Sequence, residues 1–150
     1  MKKMRGEDWR QAAYEIIPMF RARIDEAEDA GMLWIDISTE LENSADEPLY
    51  LSRPLDEETI VSLFRYASWC LLSGDEKARN AAIVEFYEML PVVPRIRKDL
   101  HKYLSAEEFL GLKALFEYNL SKGEHEEFIR EFLSQAGGQT QGHARTGGEA

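Results

Sequence analysis

The sequence predicts an all-α fold: a single-domain bundle of about six or seven helices with short connections. Two observations support this prediction. Apolar residues recur at the three- and four-residue spacing that places them on one face of a helix, through most of the chain. Aspartate and serine stand where these apolar stripes begin, and glycine and proline stand where they end. The helical domain is expected to span residues 1–136.

Two helices are predicted before residue 44. Asp8 is the expected N-cap of the first, because its side chain can accept a hydrogen bond from the free amides of the first turn. Pro18 removes a backbone hydrogen bond inside the first stripe, so we expect a kink or a junction of two helices just before it. Gly31 is expected to end this helix, and a second helix is expected from about Leu33 to Asn43. The two stripes comprise Trp9, Ala13, Ile16, Phe20, Ile24 and Ala27, then Leu33, Trp34, Ile37 and Leu41.

An irregular crossing and a third helix are expected in the middle of the chain. The crossing, residues 44–55, contains two prolines six residues apart, which exclude a helix between them. Asp56 is the expected N-cap of the third helix, which ends at the turn formed by Ser73, Gly74 and Asp75. The stripe of this helix comprises Ile60, Phe64, Ala67 and Leu71, with Leu63 and Cys70 beside it.

The fourth and fifth predicted helices are bounded by prolines. The fourth runs from Glu76 to about Leu90, where Pro91 ends it. The fifth begins at Pro94, because proline is well suited to the first turn of a helix.

Two more helices and a tail are predicted after residue 104. Ser105 and Glu108 have the spacing of a capping box, which begins a sixth helix that Gly123 is expected to close. A last helix is expected over residues 124–135. Residues 137–150 are rich in glycine and carry no large apolar side chain, so we expect a disordered, flexible tail.

Composition indicates a cytoplasmic protein. The single cysteine, Cys70, excludes an internal disulfide and fits a reducing compartment. No apolar run approaches the roughly 18–20 residues of a membrane span, and the N-terminus lacks the apolar stretch of a secretory signal. We therefore expect no association with a membrane.

The acidic charge is concentrated in one segment. The net charge is −10, and the segment from Asp25 to Glu58 holds twelve acidic residues against one basic residue, Arg53. This charge opposes direct binding to nucleic acid and favours a basic protein partner. A solvated surface without a partner is the alternative explanation. The expected partner-binding residues are Asp25, Glu28, Asp29, Asp36, Glu40, Asp46 and Glu47.

No motif of catalysis, cofactor binding or metal binding is found. The chain lacks the HExxH motif and the Glu-x-x-His motif of carboxylate-bridged metal sites. Cys70 lies on or near a buried stripe toward the C-terminal end of its helix, where the helix dipole opposes ionisation of a thiol. We therefore predict a protein that is not an enzyme and uses no cofactor.

Two alternative functions stay open at this point. The first is a small helical enzyme or ligand-binding domain, whose pocket would use Tyr66, Trp69, His101 or Cys70. It requires these side chains to converge on a polar cavity. The second is a structural subunit of a larger assembly, whose oligomeric state the sequence does not indicate.

Three segments in the second half of the chain resemble an uncharacterised family of small bacterial all-helical proteins. They are Tyr66–Leu71, Ala82–Pro91 and Ser105–Phe109. The family's function is unknown, and some small acidic proteins of this kind accompany secreted toxins as immunity factors. The resemblance implies a helical fold and transfers no functional residue.

Overall fold

The computed structural model describes residues 8–43 and 56–148, with side chains over residues 8–41 and 56–137. These residues form eight α-helices and four short 3₁₀ helices, without a β-strand, so the predicted all-α bundle is confirmed. The predicted crossing at 44–55 lies outside the described residues. The α-helices are α1 Asp8–Ile16, α2 Arg21–Glu26, α3 Ala30–Asn43, α4 Glu57–Leu72, α5 Glu76–Glu85, α6 Pro94–Arg97, α7 Ala106–Leu112 and α8 Lys122–Gly148. The 3₁₀ helices are Pro18–Phe20, Tyr87–Val92, Leu100–Lys102 and Lys113–Asn119.

The first predicted stripe divides at Pro18, as expected. Ile17 leaves the helical region with φ −125° and ψ 57°, and a 3₁₀ turn beginning at Pro18 leads into α2. A continuous helix would place the proline ring against the carbonyl group of Tyr14. The break changes which side chain enters the core: Ile17 is fully buried, whereas Ile16, the predicted stripe residue, is only partly buried.

Two glycines predicted to close helices lie instead in the first turn of the next helix. Ahead of Gly31, the Asp29 carboxylate accepts a hydrogen bond from the amide of Met32 at 2.9 Å and begins α3. Ahead of Gly123, the hydroxyl of Ser121 accepts from the amide of Glu124 at 3.2 Å, and the Glu124 carboxylate accepts from the amide of Ser121 at 2.9 Å. These side-chain caps begin a new helix at each glycine, so both predictions were wrong.

The fourth and fifth predicted helices are shorter than expected. Helix α5 ends at Glu85, and residues 87–92 continue as a 3₁₀ helix that contains Pro91. Proline has no amide hydrogen, and its ring clashes with the carbonyl group four residues earlier in an α-helix. The α-helix therefore ends before Pro91, and the chain continues as a 3₁₀ helix. The segment that begins at Pro94 likewise forms a single α-helical turn and then a 3₁₀ turn at Leu100–Lys102.

Helix α8 is longer than predicted. Its helical backbone continues from Lys122 to Gly148, past the expected end at residue 135 and into the predicted tail. The segment contains no proline, and a helix that is already nucleated extends by one hydrogen bond for each residue added. The flexibility expected of residues 137–150 stays a prediction.

Two groups of stacked aromatic side chains lie within the core. In the first, Trp34 of α3 lies 5.4 Å from both Tyr66 of α4 and Phe86, measured between ring centroids. In the second, Phe109 of α7 stacks on Phe132 of α8 at 3.8 Å. Both groups belong to one continuous cluster of buried residues, so α8 packs on the same core as α3 and α4.

Candidate functional site

The five predicted partner-binding acids that the structure describes lie along α2 and α3. Asp25 is on α2, Glu28 and Asp29 are in the connection to α3, and Asp36 and Glu40 are on α3. The other two, Asp46 and Glu47, lie outside the described residues. Helices α2 and α3 contact one another, so these five acids share one region of the molecule, but their surroundings differ.

Asp29 has a structural role. Its carboxylate caps α3 and also lies 3.3 Å from the ammonium group of Lys77 on α5. The amide of Met32 and then Lys77 stabilise the charged form, which lowers the pKa of Asp29. Asp29 therefore joins α5 to the start of α3, and only part of its charge is available to a partner.

Glu40 is buried, contrary to its predicted place on a binding surface. Its side chain is 6% exposed, and Oε2 lies 3.4 Å from Nε of Arg23. Neither carboxylate oxygen accepts a hydrogen bond within the described part of the chain. Burial raises the pKa of Glu40, the nearby charge of Asp36 raises it further, and Arg23 opposes the shift. Glu40 follows Ile37 by three residues and therefore lies on the buried side of α3.

Replacing Glu40 with glutamine is expected to stabilise the protein at neutral pH. The folded protein raises the pKa of Glu40, so it favours the protonated carboxyl group. The stability that this group contributes is fully present below its ordinary pKa of 4.5 and is lost as the pH rises through the pKa of the folded state. The difference between Glu40→Gln and the wild type should therefore close as the pH falls. Urea denaturation at several pH values measures it.

Glu124 on α8 supplies a control of opposite sign. Hydrogen bonds from Ser121 lower the pKa of Glu124, so its ionised form stabilises the folded state. Glu124→Gln is therefore expected to destabilise the protein at neutral pH. A Glu40→Gln variant that is less stable than the wild type at neutral pH would contradict the assignment of Glu40 as a destabilising buried charge.

The other predicted acids lie nearer the surface. Asp25 is 51% exposed; it accepts a hydrogen bond from the hydroxyl of Tyr14 and lies 4.0 Å from Nε of Arg21. Glu28 is exposed, and Asp36 is half-buried. Sequence reasoning missed the role of Arg21, because it precedes the acidic segment in the chain, yet it lies one helical turn before Asp25.

An exposed apolar surface lies where α3 packs on α5. The side chains of Met32 and Ile35 on α3 and Val84 on α5 are 43%, 52% and 49% exposed. A shallow groove of about 480 Å³ follows this junction. We call it the α3–α5 face; its lining residues are Gly31, Ile35, Glu76, Lys77, Asn80, Ala81, Val84 and Glu85.

The side chains expected to form an enzyme pocket do not line any of the described grooves. The Tyr66 hydroxyl donates to the carbonyl of Trp9 at 3.0 Å, and Trp69 packs beside the Tyr66 ring. The thiol of Cys70 is buried against the indole N–H of Trp34, and burial raises its pKa to about 11. His101 is on the 3₁₀ turn that follows α6. Tyr66 and Cys70 are therefore core residues.

Across the described residues, no three histidine, cysteine, aspartate or glutamate side chains are grouped as a metal site would require. Within the same residues, no helix is both long enough and apolar enough to span a bilayer.

The comparisons with known proteins identify a family of unknown function. Residues 11–111 match the family model described as a domain of unknown function, DUF7674. The match extends the resemblance seen in the second half of the chain back to α1. No curated protein matches the chain. No solved structure matches it either. Because the family model covers more than half of the chain, this protein belongs to the DUF7674 family.

Proposed function

We propose that this protein is a non-catalytic interaction module that binds a basic protein through the α3–α5 face and the acids around it. The observation that supports this most is the exposure of Ile35 and Val84 at one junction, with Glu76 and Glu85 lining the same groove. An apolar centre with a charged rim is the usual arrangement of a protein interface. Asp36 follows Ile35 on α3, and the exposed Glu28 lies in the connection just before this helix.

The charges of the rim determine the kind of partner. Lys77 is the one basic residue among those that line the groove, and it pairs with Asp29. The remaining ionisable groups of the lining are carboxylates, which attract a basic surface and speed its association. Masking of a basic toxin, as an immunity factor does, is the setting that we propose, in the cytoplasm, where Cys70 would stay reduced.

Neutralising three acids tests this proposal. The variant Asp36→Asn, Glu76→Gln, Glu85→Gln removes the two carboxylates that line the groove and the one that follows Ile35, and it keeps the shape of the surface. In affinity capture from the source cells, the wild type should retain a basic protein that is released as salt rises, and this variant should retain much less of it.

A second triple variant controls for total charge. Glu107→Gln, Glu117→Gln and Glu126→Gln remove the same number of exposed carboxylates from the α7–α8 side of the molecule. This control should capture the partner as the wild type does. Equal loss in both variants would show that net charge, and not this surface, is responsible. Capture that is insensitive to salt would also contradict the proposal.

A further inference from the structure

A second groove, with a different lining, lies along α4. It has a volume of about 700 Å³, within the range of small-molecule sites, roughly 300–1,000 Å³. It follows α4 from Val61 to Leu71, a length of roughly 15 Å at the rise of an α-helix. Its apolar wall comprises Val61, Phe64, Leu71, Tyr87, Leu104 and Leu112. The ring of Phe64 stacks on Tyr103 at 5.2 Å, which fixes one side of the groove.

The polar groups of this groove favour a negatively charged ligand. Arg65 is exposed at its edge and forms no ion pair with any described residue. Lys102, also at the edge, is only loosely paired, 3.8 Å from Asp99. Glu108 lines the groove too, but its carboxylate accepts the amide of Ser105 at 2.8 Å in the capping box of α7. The groove therefore presents two cationic groups and one carboxylate, and the carboxylate is already engaged in a helix cap.

We propose that the groove binds a free fatty acid or a similar single-chain amphiphile with a carboxylate head group. The acyl chain would lie along α4 between Phe64 and Leu112, and the head group would bind Arg65 and Lys102. A guanidinium group pairs well with a carboxylate, because two of its N–H groups can donate in parallel. The acyl chain suits the continuous apolar wall along α4, which is roughly 15 Å long.

Calorimetric titration of the full chain with sodium dodecanoate below its micelle concentration tests this site. We expect one saturable site, and affinity that rises roughly fourfold for each methylene added between octanoate and dodecanoate. Arg65→Gln is expected to weaken binding about tenfold. Val61→Glu, which places a carboxylate in the groove at a position 41% exposed, is expected to abolish it.

Matched variants on α5 serve as controls. Arg79→Gln removes an exposed arginine that does not line the groove, and Val84→Glu adds the same carboxylate at a position 49% exposed. Both should bind dodecanoate as the wild type does, and circular dichroism verifies that each variant is folded. Ile35 belongs to the α3–α5 face and does not line the groove along α4. Ile35→Lys should therefore leave dodecanoate binding unchanged.

Three outcomes would overturn the proposal. The first is the absence of saturable dodecanoate binding, and the second is equal binding by Val61→Glu and the wild type. The third is equal affinity for dodecyltrimethylammonium, because a cationic head group cannot use Arg65 and Lys102. If the protein co-sediments with anionic vesicles but does not bind free dodecanoate, the proposal also fails. That result would indicate a membrane surface as the ligand.

Discussion

Replacing Trp34 with alanine is expected to lower the free energy of unfolding by about 3–5 kcal/mol. The indole is fully buried, stacks on Tyr66, lies 5.4 Å from Phe86 between ring centroids, and donates its N–H to the sulfur of Cys70 at 3.5 Å. Alanine would leave a cavity where α3, α4 and the segment after α5 meet, and the fixed neighbouring rings could fill little of it. Urea denaturation followed by circular dichroism measures the loss.

Trp69 provides the comparison for Trp34. It lies on α4, contacts the same Tyr66 ring at 6.1 Å, and is only partly buried. Trp69→Ala should therefore cost clearly less than Trp34→Ala, because less surface is removed from contact with the core. Equal losses in the two variants would contradict the central position of Trp34.

Replacing Phe109 with alanine is expected to cost a similar amount, about 3–5 kcal/mol. The ring is fully buried, stacks on Phe132 and lies 5.2 Å from Phe116 and 5.5 Å from Phe128. Three of these four rings lie beyond residue 111, where the family match ends. The substitution therefore tests whether α8 is part of the cooperative core. The measurement is thermal or urea unfolding of the full chain.

The neighbour of Phe109 supplies a control on the same helix. Leu110 is 45% exposed, and Leu110→Ala should change stability by only about 0.5 kcal/mol. A small effect of Phe109→Ala, comparable with that of Leu110→Ala, would show that α8 does not stabilise the rest of the bundle. A single unfolding transition shifted to lower urea is the expected result.

Much of the fold could be predicted because local rules and core packing agree in this chain. Asp56 and Ser105 accept hydrogen bonds from the amides of Thr59 and Glu108, as their positions before apolar stripes predict. Pro18 divides the first stripe as expected. The errors at Gly31 and Gly123 have one cause, because a glycine between two apolar stripes can end one helix or lie in the first turn of the next. The caps Asp29 and Ser121, three residues before Met32 and Glu124, select the second arrangement.

The candidate surface was harder to predict, because it depends on contacts between distant parts of the chain. Asp29 pairs with Lys77, 48 residues away, and no local pattern indicates that pair. The spacing of three residues between Ile37 and Glu40 indicates that both lie on the buried side of the helix, but the charge of Glu40 suggested exposure. Ile35 and Val84 lie outside the buried stripes of their helices, and only the packing of α3 on α5 brings them to one groove.

The most direct test of the proposed interaction is the affinity of the purified basic partner for Ile35→Lys. Lysine at this position, 52% exposed in the wild type, would place a positive charge at the apolar centre of the α3–α5 face. The matched control, Leu110→Lys, makes the same change at a position 45% exposed on α7. We predict that Ile35→Lys weakens binding at least roughly tenfold, by about 1.4 kcal/mol, and that Leu110→Lys binds as the wild type does. Equal affinity of the two variants for the partner would contradict the proposal that this face is the binding surface.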